Sequence, residues 1–129
     1  MAEALLKHSL MAANKSGYIV QSAGLGALVD HAPDKTACDL LSKKGIDIST
    51  YRATQINSAM VRNADLILVM EIGHKKALIA QEPSSQGKIF RLGEWGGFDV
   101  PDPYQKGIAE FELALELIEQ GITHWLPKL

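Results

Sequence analysis

The sequence predicts an α/β fold, a three-layer sandwich with helices on both faces of a parallel sheet. Three observations carry this. The elements alternate as helix, strand, helix, strand, helix, strand, helix across the 129 residues, the order that parallel strands need for their crossovers. Asp65-Leu66-Ile67-Leu68-Val69-Met70 is a continuous apolar run, as a strand covered on both faces requires. Residues 106–126 place Ile108, Phe111, Leu115, Ile118, Ile122 and Trp125 on one helical stripe, the face of a helix laid against a core.

The first fourteen residues, MAEALLKHSLMAAN, are strong helix formers, with Ala2, Leu5, Leu6, Leu10 and Ala13 on one side. They run back to Met1 with no capping residue or first-turn proline ahead of them. Lys15-Ser16-Gly17 breaks the helix, and Tyr18-Ile19-Val20-Gln21 reads as a short strand. The loop Ser22-Ala23-Gly24-Leu25-Gly26-Ala27-Leu28 then falls at that strand's carboxyl end, where open parallel sheets bind ligands. A plain tight turn has the same composition, so both readings stand. Pro33 and Asp34 open a second helix that Gly45 ends, with Ala37, Leu40 and Leu41 facing inward. Asn57 to Asn63 suits a short helix, and the 65–70 strand follows. Glu71 to Gln81 is helical, with His74 as a helix-start residue and no ligand partner nearby. Lys88-Ile89-Phe90-Arg91-Leu92 is the third strand, and Gly93 to Gly97 leads toward the last helix.

Composition narrows the function. The chain is long enough for one domain, residues 1–129, with one core. An apolar fraction of 47% and a charged fraction of 22% are those of an ordinary soluble protein. A net charge of −2 without a basic run argues against nucleic acid as a partner. No apolar run reaches membrane-spanning length, and the amphipathic start does not read as a signal peptide, so the expected location is cytoplasmic. A single cysteine, Cys38, excludes an internal disulfide and a cysteine zinc cluster. It reads as a buried small hydrophobe rather than a nucleophile. No metal or other cofactor is expected.

The stretch with the most chemistry is Val100-Pro101-Asp102-Pro103-Tyr104. Two prolines fix the backbone on either side of Asp102 and give its carboxylate a defined direction. A carboxylate held on a rigid loop is suited to general acid–base work, although Pro-Asp-Pro is also common turn chemistry.

Ser22-Ala23-Gly24-Leu25-Gly26, Ala64-Asp65-Leu66-Ile67-Leu68-Val69-Met70 and Asp102-Pro103-Tyr104, in this order and spacing, resemble the low-molecular-weight protein tyrosine phosphatases. The likeness is nearest to the bacterial branch acting on tyrosine kinases of capsule and exopolysaccharide assembly. It implies a doubly wound parallel sheet of four strands and a two-step reaction through a phosphocysteine. It makes Asp102 the general acid that protonates the leaving tyrosine oxygen and then activates water. Tyr104 would flank the substrate ring, Leu28 would form the opposite wall, and Ser22 would support the phosphate-binding loop. The implied partner is a phosphotyrosine protein such as a bacterial tyrosine kinase. Tyr51 stands where relatives commonly have a histidine supporting that loop.

The pattern fails at its start. The family opens with a strand and Cys-x5-Arg-Ser-Pro, and Met1 falls immediately after that proline. The resemblance therefore implies a phosphatase-like sheet with the first strand missing, through a mis-assigned start codon, a truncated gene or engineered trimming. Without the nucleophile and the phosphate-binding arginine, no turnover is expected. The absent strand would lie between those at 18–21 and 65–70. An open slot leaves backbone groups unpaired, so the gap is expected to close, by the two strands moving together or by a homodimer or strand exchange. Two other functions compete. A non-catalytic binding or self-assembling module needs no nucleophile. Arsenate reduction needs further cysteines to pass a disulfide along, which Cys38 alone cannot do.

Overall fold

In the computed structural model, which describes residues 1–129, five helices flank a short parallel sheet. The helices are α1 (Ala2–Ala12), α2 (Lys35–Ser42), α3 (Ser58–Asn63), α4 (Ile72–Gln81) and α5 (Ile108–Trp125), and the strands are β1 (Ile67–Val69) and β2 (Ile89–Arg91). β1 and β2 pair in parallel, with Ile67 opposite Ile89 and Val69 opposite Arg91. α4 makes the crossover between them, as parallel neighbours require.

Local chemistry sets the boundaries. Asp34 caps α2 by accepting the Thr36 N–H at 2.8 Å, and Asn57 caps α3 by accepting that of Met60 at 2.9 Å. α2 ends where Gly45 takes φ +76°, which lets the Ile46 N–H return to the Leu41 carbonyl at 3.0 Å.

Alternation along the strands builds the three layers. On one face Val69 and Ile89 join Val61 of α3 and Leu78 of α4 in a small core, with Ile67 packed against it. On the other, Leu68, Met70 and Phe90 pack against a larger core drawn from α1, α2 and α5. Its members include Leu5, Leu41, Leu92, Phe111, Ile118 and Trp125. Trp125 also donates its indole N–H to the Arg91 carbonyl at 3.2 Å and meets Phe90 edge-on at 5.6 Å. Both contacts lock the end of α5 over β2.

Three expectations are corrected. Tyr18–Gln21 is not a strand: no residue from Ser16 to Ala23 makes a backbone–backbone hydrogen bond. A strand exists only as part of a ladder, and this segment forms none. What forms instead is one parallel bridge just beyond, Gly24 with Gln55. Second, the slot beside this segment has not closed by the flanking strands drawing together; a cleft of about 1420 Å³ remains. Third, Ile108 is exposed although it continues the stripe of α5. It lies one turn ahead of Phe111, where the first turn overhangs the core.

Candidate active site

The cleft is walled by the start of α1, the extended run through Ser22, the 51–54 segment and the Asp102–Tyr104 loop. It brings together three candidates that lie far apart in sequence: Ser22, Asp102 and Tyr104. Leu28 is not among the lining residues; it is half exposed in the 24–31 loop.

The loop that carries Asp102 is anchored at its base. Val100 is buried, and its N–H donates to the Met70 carbonyl, at the end of β1, at 2.8 Å. Asp99 Oδ1 accepts from the Ile72 N–H at the start of α4 at 3.2 Å and from Arg91 Nη1 of β2 at 3.1 Å. The hydrogen bond that Arg91 donates to Asp99, opposed by burial and aided by the charges of Asp99 and Glu94, raises the Arg91 pKa. Arg91 Nε is buried without a hydrogen-bond partner, 3.5 Å from Glu94 Oε2.

Further out, Asp102 Oδ1 accepts the Tyr104 N–H at 3.0 Å, a side-chain turn that fixes the carboxylate relative to the prolines. Lys106 N–H closes on the Pro103 carbonyl at 2.9 Å, which needs the positive φ of 59° at Gln105. The result is an exposed carboxylate at the cleft wall with one oxygen held and the other without a partner in the chain. That oxygen can exchange a proton with a group seated in the cleft.

Sequence reasoning missed the polar cluster opposite. Ser22 donates its hydroxyl to Glu3 Oε1 at 2.6 Å, and Lys7 donates to Glu3 Oε2 at 2.6 Å. Lys7 also lies 5.4 Å from the centre of the Tyr51 ring. Glu3 and Lys7 at i, i+4 look like an ordinary surface pair, and only the fold brings Ser22 and Tyr51 to them. Burial acts to raise the Glu3 pKa, but the hydrogen bonds from Lys7 and Ser22 outweigh it and hold the carboxyl below its usual range. The same bond raises Lys7. Burial lowers the pKa of the α-ammonium at Met1, with Glu3 and Cys38 pulling the other way.

This fixes a pH dependence. A lowered carboxyl contributes stability above its unfolded value, 4.5, and loses it as pH falls through the folded value. The raised Lys7 contributes below 10.5 and loses it as pH rises through its folded value. Glu3→Gln should therefore lower the urea midpoint at pH 7, with the difference from the parent vanishing as pH falls well below 4.5. A gap that stays constant through that acid range would show that Glu3 is not coupled to its neighbours.

Cys38 is half-buried in α2, with Sγ 4.0 Å from the Pro33 carbonyl oxygen. Helix α2 borders the cleft through Ala37, yet Cys38 is not among the lining residues. No group of three or more His, Cys, Asp or Glu residues is placed to hold a metal ion, and no helix is long and apolar enough to cross a membrane.

The fold is thus a two-sided α/β sheet with the Asp102 loop anchored at the carboxyl ends of its strands. The sequence model for low molecular weight phosphotyrosine protein phosphatases matches residues 1–129, and the chain belongs to this family. It is 43% identical over 129 residues to a protein named as a probable low molecular weight protein-tyrosine-phosphatase, EpsP, of Ralstonia nicotianae, spanning 100% of this chain and 86% of that one. It is 36% identical over 111 residues to the low molecular weight protein-tyrosine-phosphatase Wzb of Escherichia coli, covering 85% of this chain and 76% of that protein. Wzb of Vibrio vulnificus, solved in complex with benzylphosphonate, superposes with a TM-score of 0.88 at 34% identity, covering 99% of this chain and 88% of that one.

Proposed function

We propose that this chain forms the acid-bearing wall of a phosphotyrosine phosphatase site, with Asp102 as proton donor to the leaving phenolate and Tyr104 beside its ring. One observation carries this: Asp102 and Tyr104 share a cleft with the start of α1 on a loop tied to both strands. A relative that holds benzylphosphonate, an aromatic ring linked to a phosphonate, supports a substrate of that kind. The relatives EpsP and Wzb favour a phosphotyrosine protein as partner, such as a bacterial tyrosine kinase met in the cytoplasm.

The second part of the proposal is that these 129 residues do not turn over phosphate esters by themselves. The only thiol, Cys38, lies outside the cleft lining. Six residues on from it stands Lys44, whose ammonium pairs with Glu119 at 2.8 Å, not an arginine facing a phosphate. Phosphoryl transfer depends on a nucleophile and on donors around the phosphoryl oxygens. One cysteine is also too few for arsenate reduction. A non-catalytic binding or self-assembling module is the second reading, favoured by the unpaired Tyr18–Gln21 segment.

Hydrolysis of p-nitrophenyl phosphate tests both parts. The parent chain, Asp102→Asn and Cys38→Ser should all match the buffer blank; turnover abolished in Cys38→Ser would mean that this thiol has been recruited. Placing the family's strand and Cys-x5-Arg-Ser-Pro segment ahead of Met1 should create turnover, which Asp102→Asn then lowers by about 10²–10⁴-fold. A folded, extended chain that stays inert favours the binding module.

A further inference from the structure

The stretch from Asp99 to Pro103 behaves as a short rod. Pro101 and Pro103 fix their own φ, and each holds the residue ahead of it, Val100 and Asp102, in extended backbone. The direction of the chain at residues 99–100 therefore sets the place of Asp102, about 10 Å further on. Val100 holds the base through its buried side chain and through its N–H on the Met70 carbonyl at 2.8 Å. Both contacts belong to one residue, so they fix a point and leave the rod free to pivot on it. Asp99 removes that freedom. Its Oδ1 accepts from the Ile72 N–H of α4 at 3.2 Å and from Arg91 Nη1 of β2 at 3.1 Å, two separate elements. Arg91 is itself tethered, with Glu94 Oε2 3.5 Å from its Nε.

We propose that Asp99 is the positioning residue of the acid loop, its carboxylate fixing the angle at which the rod leaves the sheet and hence the place of the Asp102 carboxylate. The inference deepens the catalytic reading and rests on it for its consequence, although the geometry can be measured without turnover. The lever makes small errors costly. A swing of about 6° at the base moves the tip by about 1 Å, and a misplacement of that size costs about 100-fold in rate. The alternative is a purely structural role. Glu71, at the N-cap of α4, makes no side-chain capping bond, so Asp99 also serves that helix as its cap. The two roles separate because a cap acts on the start of α4, whereas positioning acts on residues 102–105. The Asp99 side chain is 39% exposed, so its truncation removes little packing.

NMR relaxation of the backbone amides in the 129-residue chain tests the geometry. The order parameters of Asp102, Tyr104 and Gln105 should stand at about 0.85, the rigid value, in the parent and fall below about 0.6 in Asp99→Ala. Asp99→Asn, whose amide oxygen still accepts from Ile72 and Arg91, should stay near the parent. Arg91→Met removes the bond to β2 and leaves the cap, so it should loosen 102–105 but not 72–75. It also keeps the test open if Asp99→Ala fails to fold. In the chain extended with the family's strand and Cys-x5-Arg-Ser-Pro segment, Asp99→Ala should lower kcat by about 10–100-fold with KM unchanged. The loss should be larger on phenyl phosphate than on p-nitrophenyl phosphate, whose leaving group needs a proton less. On top of Asp102→Asn it should add nothing, because the two residues act as a unit.

Three outcomes overturn the proposal. Residues 102–105 are already mobile in the parent. They stay rigid in Asp99→Ala and Arg91→Met while only 72–75 loosen, which leaves Asp99 as a helix cap. Or, in the extended chain, Asp102→Asn lowers kcat and Asp99→Ala does not. An extended chain indifferent to Asp102→Asn would instead sink the acid reading, with the relaxation data still deciding what Asp99 holds.

Discussion

Leu41→Ala should lower the unfolding free energy by about 2–5 kcal/mol, the range for truncating a fully buried leucine. Leu41 is 0% exposed and sits in the larger core with Ala4 and Leu5 of α1 and Phe111 of α5. Alanine leaves a void where these helices meet. Small domains are stable by about 5–15 kcal/mol in total, and this one has a large open cleft along its core. The loss is therefore expected to unfold a substantial part of the population at physiological temperature. Urea titration followed by circular dichroism measures it. A loss below about 1 kcal/mol would show that the core collapses around the smaller side chain.

Gly93→Ala should be the second severe change, and it reaches the acid loop. A Cβ at Gly93 would run into the carbonyl oxygen and ring of Phe98. Gly93 is also a hub of its turn, its carbonyl accepting the N–H of Gly96 at 3.2 Å and of Phe98 at 3.1 Å. A flexible side chain could swing aside, but this backbone oxygen is held by the turn itself. The overpacking cost is about 1–3 kcal/mol or more. Relief must come by moving residues 96–100, which lead into Asp102. Gly26→Ala is the matching control, since its Cβ meets nothing within 4 Å, and it should stay within about 0.5 kcal/mol of the parent. Thermal melts of both, with Trp95 emission as a local reporter, check the contrast. Equal midpoints would show that the 93–98 turn adapts at little cost.

Much of the architecture is written in local patterns. The apolar run at 65–70, the stripe of α5 and the caps Asp34 and Asn57 each act over one or two turns, and each element formed where its pattern lies. The restriction of the Asp102 loop was equally readable, because the two prolines act without help from elsewhere, whereas the Tyr104 N–H bond to Asp102 shows only in the structure. Tyr18–Gln21 was not, because β-propensity describes how a residue suits a ladder and says nothing of whether a partner is present. Nor were Asp99 and Glu3. Asp99 matters through the start of α4 and Arg91, and Glu3 through Ser22 and Tyr51, so both roles exist only after distant segments have met. The two are carboxylates in unremarkable sequence surroundings, and spacing alone could not separate them from surface charge.

The two cores differ in how much of the chain must exist before they can form. The four buried residues of the smaller one, Val61, Val69, Leu78 and Ile89, all come from a single contiguous stretch. The larger core needs Ala4 and Leu5 from one end and Ile122 and Trp125 from the other. During synthesis from the amino terminus, the middle of the protein can therefore assemble while the ribosome is still extending the chain. The apolar sides of α1 and α2 must wait uncovered until α5 has emerged. The nascent chain is open to association through α1 and α2 until α5 has left the ribosome and packed against them.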